Sequence, residues 1–61
     1  MTQPLAGKHI LIVEDEPVFR SLMDSWLSSL GARTLLAQDG VDALSQIECQ
    51  RPDLMICDLA M

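Results

Sequence analysis

Basic residues are scarce in this chain. Four Lys and Arg against nine Asp and Glu leave a formal charge of −5. That balance counts against nucleic acid or an anionic membrane as a direct partner, since both are bound through clustered positive charge. Long apolar runs are missing as well: nothing approaches the ~20 residues of a membrane-spanning helix. The first residues also lack the basic-then-apolar pattern of a secretory signal. Cysteine is thin. Cys49 and Cys57 form no CxxC pair and are too few for a disulfide framework. The default compartment is therefore reducing and intracellular, the cytoplasm, with both thiols as packing residues. Length is short too. The 61 residues exclude a second domain, and a chain of this size buries only roughly 60% of its unfolded surface. What is abundant is apolar side chain, 49% of the residues, which argues against disorder.

The most informative stretch runs from His9 to Pro17. Ile10, Leu11, Ile12 and Val13 lead directly into Glu14, Asp15 and Glu16. An unbroken aliphatic run of this kind reads as a strand covered on both faces, as parallel sheets require. The carboxylates then lie just past the strand's C-terminal end, where open α/β sheets place their ligands. Mutually repelling acids in one place invite a cation.

Along the chain, residues 1–7 read as a short, loosely ordered leader with Pro4 and Gly7 as breakers, and Lys8 to Val13 as the first strand. Pro17 suits the first position of a helix, with Asp15 or Glu16 at or next to the N-cap. Val18, Phe19, Leu22, Met23, Trp26, Leu27 and Leu30 then recur at helical spacing and fill about half the circumference. Arg20, Ser21, Asp24, Ser25 and Ser28 take the opposite face, and Gly31 ends the helix. So wide a stripe should pack against a sheet, which puts Phe19 and Trp26 in the core rather than in a docking patch. Arg33 to Gln38 reads as a second strand, and Asp39-Gly40 as a turn that caps a second helix. Val41, Ala43, Leu44 and Ile47 supply the apolar side of that helix, which Pro52 brings to an end. Asp53 to Cys57 reads as a third buried strand, ending on Asp58.

The order β-α-β-α-β implies a parallel sheet with right-handed crossovers. In the doubly wound arrangement the strand order is 2-1-3. That order brings Asp58 beside Glu14 and Asp15 at one sheet edge, with Gln38 and Asp39 farther out. Hard oxygen ligands favour Mg²⁺, which binds through few carboxylates and commonly shares a phosphate. A carboxylate held near such a cation can act as a nucleophile and form an aspartyl phosphate. Asp58, opposite the acid pair, is the candidate nucleophile, and Glu14 and Asp15 are the candidate metal ligands. Glu16, beside the helix N-terminus, reads as a favourable partner of the helix dipole.

Ile-Leu-Ile-Val-Glu-Asp-Glu, Asp-Gly-Val-Asp-Ala-Leu and Pro-Asp-Leu-Met-Ile-Cys-Asp-Leu-Ala-Met, in this order and spacing, resemble the first half of a response-regulator receiver domain. The resemblance covers Lys8 to Met61. It implies a flavodoxin-like (CheY-like) α/β fold truncated to β1-α1-β2-α2-β3, with residues 8–61 as a partial receiver domain. It also implies that Asp58 is the phosphoacceptor, served by a histidine kinase or a small phosphodonor. Asp15 would bind Mg²⁺ directly, Glu14 would act through water, and the backbone carbonyl of Ala60 would complete the metal shell. Such domains are switches rather than conventional enzymes. More narrowly, Val18 to Leu22, Asp24 to Trp26 and Ser28 to Ala32 resemble receivers of regulators that deliver a stationary-phase sigma factor to a protease.

Receivers normally continue for about as many residues again, consistent with a usual domain size of ~100 or more. The half expected beyond Met61 holds two strands, three helices, and the hydroxyl residue and lysine that contact the phosphoryl group. Alone, residues 8–61 would leave strand three as an apolar edge, which implies self-association through that strand and the first helix. Two other functions remain in view. One is an interaction fragment not competent for phosphorylation. The other is a Mg²⁺-dependent phosphohydrolase of the haloacid-dehalogenase type. The latter needs a second Asp two residues after the nucleophile, where this chain has Ala60.

Overall fold

The computed structural model describes residues 3–58, and of Asp58 the backbone alone. The elements are β1 (His9–Glu14), α1 (Pro17–Ser29), β2 (Arg33–Ala37), α2 (Gly40–Cys49) and β3 (Leu54–Asp58). The strands form one parallel sheet in the order β2-β1-β3. This is the doubly wound arrangement expected from the alternation of strands and helices.

β1 is central and covered on both faces, with Ile10, Leu11, Ile12 and Val13 at most 1% exposed. Because side chains alternate along a strand, the run divides between two cores. Ile10 and Ile12 meet Leu27 of α1 and Ala32, with Leu5, Met23 and Ile56 packed around them. Leu11 and Val13 meet Ala37 and Ala43, with Leu35 and Ile47 alongside. One helix thus covers each face.

Glu16 is the N-cap of α1, its carboxylate accepting from the Val18 and Phe19 N–H groups, and Pro17 follows at the first helical position. The helix ends in a Schellman motif: the Ala32 N–H donates to the Leu27 carbonyl at 3.2 Å and the Gly31 N–H to the Ser28 carbonyl at 3.0 Å. Gly31 provides the required positive φ of 97°. Asp39 caps α2 by accepting from the Asp42 N–H. Within the segment read as a loose leader, the Leu5 N–H donates to the Leu30 carbonyl at 3.0 Å and the Leu5 side chain packs on the first core.

Four expectations about burial are corrected. Phe19 (59% exposed) and Trp26 (61% exposed) lie outside the core, as do Val18 and Leu22. The sheet meets α1 along one margin of its apolar stripe, where Leu27 is buried and Met23 half-buried. Arg20 and Asp24, read as solvent-facing, are half-buried on that same side. On α2, Ala43 is buried, whereas Val41 (79%) and Leu44 (64%) are exposed. β3 forms as expected but is only partly covered: Ile56 packs on the first core, whereas Leu54 and Met55 are exposed, because both helices lie over β1 and β2.

Candidate functional site

The acids at the end of β1 have different surroundings although they are consecutive. Glu14 is the last residue of the strand and only 1% exposed. Its Oε1 accepts the Glu16 N–H at 3.0 Å, so the side chain turns back over the strand-to-helix bend. Asp15 is exposed on that bend. Glu16 is committed to capping α1, with Oε2 2.7 Å from the Val18 nitrogen and 3.0 Å from the Phe19 nitrogen. A carboxylate there completes two backbone donors that would otherwise have no helical partner, and this separates Glu16 from its neighbours.

A fourth residue enters from α1. The Arg20 Nη1 donates to the Glu14 carbonyl at 2.9 Å, reaching from the first turns of the helix back to the end of the strand. Sequence reasoning placed Arg20 on the solvent face. The available signal was its seven-residue spacing from Leu27, which puts both on nearly the same side of a helix.

Asp58 comes to this edge through strand pairing. The β1–β3 ladder is in parallel register from Ile10 with Leu54 to Glu14 with Asp58, and neighbouring strands lie about 4.8 Å apart. The backbones of Glu14 and Asp58 are therefore adjacent at the C-terminal edge of the sheet. The register is secured at the other end of the pair: the Asp53 N–H donates to the His9 carbonyl at 2.7 Å, and the Asp53 carboxylate accepts the His9 N–H at 2.7 Å. Gln38 and Asp39, at the end of β2, serve α2 instead. Asp39 caps that helix, and the Gln38 N–H donates to the Asp42 carboxylate at 3.2 Å. Ala60, the remaining candidate ligand, lies outside the described residues.

Among the described residues no group of three or more His, Cys, Asp or Glu side chains is gathered to hold a metal. The donor chemistry nonetheless fits a small hard cation. Asp15 offers an exposed carboxylate at the mouth of the sheet, Glu14 lies buried beside it with Oε1 accepting the Glu16 N–H, and the Asp58 backbone stands opposite Glu14. Mg²⁺ takes one or two protein carboxylates and keeps several waters.

A family profile described as the response regulator receiver domain matches residues 10–61. The chain belongs to the response regulator receiver family. Regulator of RpoS from Escherichia coli strain K12 is 74% identical over all 61 residues, and this receiver chain spans 18% of that relative's length. Sensor histidine kinase RcsC of E. coli K12 is 40% identical over 85% of the chain, which spans 6% of the kinase. Transcription factor SKN7 of Saccharomyces cerevisiae is 36% identical over 90% of the chain, which spans 9% of it. Receiver sequences of this kind thus occur within proteins of different architecture. Among the described residues, no helix is long and apolar enough to cross a membrane.

Proposed function

We propose that this receiver is a Mg²⁺-dependent phosphoacceptor and that Asp58 takes the phosphoryl group. The observation that carries this reading is the β1–β3 register, in which the Asp58 backbone is paired with Glu14 beside Asp15 at one sheet edge. Asp15 would hold Mg²⁺ directly and Glu14 through water, with Asp58 and the Ala60 carbonyl as the remaining ligands. When bound, the ion would offset the charge of the carboxylates and of the incoming phosphoryl oxygens. An Asp58 carboxylate oxygen would attack the donor phosphorus. The bond from phosphorus to the donor's imidazole nitrogen or acyl oxygen would break, and its electron pair would leave with the imidazole or carboxylate. The product is an acyl phosphate on Asp58, a switch state rather than a turnover product.

The donor is proposed to be a histidine kinase or a small acyl phosphate. Similarity to Regulator of RpoS extends the proposal to the protein that carries this chain. There, phosphorylation of the receiver would govern engagement of a stationary-phase sigma factor and its protease.

The test is incubation of the full-length protein with acetyl phosphate and Mg²⁺, followed by intact-mass analysis. The expected result is gain of one phosphoryl group, lost in Asp58→Asn and in EDTA. A parent protein that gains none under these conditions favours an interaction module instead.

A further inference from the structure

We infer that Arg20 is a positioning residue for the acid bend, aiming Asp15 at a divalent cation through a hydrogen bond to the Glu14 carbonyl. The inference rests on the phosphoacceptor reading for what the bend holds, and names a residue that the acid pattern did not include. Arg20 is half-buried on the sheet-facing side of α1. Its Nη1 lies 2.9 Å from the Glu14 carbonyl oxygen, and hydrogen bonds from a charged donor are among the stronger ones.

The geometry explains why this contact reaches Asp15. The Glu14 carbonyl and the Asp15 N–H belong to one planar peptide unit. Pinning the carbonyl oxygen therefore fixes the plane from which the Asp15 backbone departs and narrows the range of directions open to its exposed side chain. Three further ties of the bend are local: Glu16 N–H to the Glu14 carboxylate, and the Glu16 carboxylate to the Val18 and Phe19 N–H groups. Arg20 adds a tie from farther along the helix, so the strand end and the helix are held against each other at the point where Asp15 leaves.

Charge and positioning make opposite predictions for Mg²⁺. A guanidinium beside a cation site repels the cation, so an influence through charge alone would let Mg²⁺ bind more tightly once Arg20 is removed. If Arg20 orients a ligand, its removal weakens binding instead, and loss of such outer partners commonly weakens metal affinity by about 10- to 100-fold.

The experiment is isothermal titration of Mg²⁺ into the unphosphorylated full-length protein, comparing parent, Arg20→Met, Arg20→Lys and Asp15→Asn. Circular dichroism in EDTA reports folding. Arg20→Met is expected to stay folded and to bind Mg²⁺ about tenfold more weakly. Arg20→Lys, which keeps the charge and a donor, is expected to recover most of that loss. Unchanged or tighter binding in Arg20→Met, equal loss in both Arg20 variants, or an Arg20→Met protein unfolded in EDTA overturns the inference. Parent-like affinity in Asp15→Asn overturns the underlying metal-site reading and the inference with it. Loss in Asp15→Asn without loss in Arg20→Met overturns the inference alone.

Discussion

Glu16 stands in a run of three acids, yet its carboxylate satisfies the Val18 and Phe19 N–H groups at the start of α1. Glu16→Ala should lower the unfolding free energy by ~1 kcal/mol, the usual consequence of deleting an N-cap; urea denaturation monitored by circular dichroism measures it. Gly31 is constrained twice. Its φ of 97° disfavours any side chain, and an added Cβ would lie 2.9 Å from the Gln3 Cβ and 3.0 Å from the Ala6 Cα. Gly31→Ala should therefore destabilise by more than ~1 kcal/mol, and a smaller change in the same denaturation experiment would count against this packing of residues 3–6. Both residues were legible in the sequence, because helix ends are local events set by a few neighbouring backbone groups. Asp24 was not. Its carboxylate accepts from the Thr34 hydroxyl and from the Ser28 hydroxyl at 3.1 Å. The Thr34 partner lies on β2, so its choice depends on how the helix sits over the sheet.

α1 shows what periodicity conveys and what it omits. The spacing of Val18, Phe19, Leu22, Met23, Trp26 and Leu27 correctly marks one side of a helix as apolar. It does not say which part of that side meets the sheet. Leu27 is buried at 4% exposure, whereas Trp26, one residue earlier, is 61% exposed. Leu27→Ala should destabilise the fold by about 2–5 kcal/mol, the range for emptying a packed leucine site. Trp26→Ser in the 61-residue chain should shift stability by no more than ~0.5 kcal/mol, since exposed substitutions usually have small effects. Measuring both by chemical denaturation tests the orientation of the helix: equal losses would mean that the whole stripe is packed. α2 follows the same pattern, with Ala43 inside and Val41 and Leu44 outside.

The sheet covers its centre and leaves one side open. β1 is sealed by both helices, while among the described residues β3 pairs only with β1 and carries exposed Leu54 and Met55. Between α2 and β3 lies an open apolar groove of about 600 Å³ lined by residues that include Val13, Leu44, Ile47 and Met55. An apolar edge strand beside such a groove favours association. The 61-residue chain at micromolar concentration should therefore sediment above its monomer mass of 6.7 kDa; a stable folded monomer would reject this. Sequence alone was sufficient for the strands and helices, their order, the Asp39 cap, the start of α1 at Pro17 and the cluster of three acids at the end of β1, because each depends on neighbours in the chain or on a strong periodicity. Tertiary structure decided the rest: that Arg20 turns inward to the Glu14 carbonyl, that Asp24 reaches Thr34, and that Phe19 and Trp26 face away from the sheet. A helix's rotation about its own axis is set by the surface it packs on, and that surface is assembled from strands far apart in the chain.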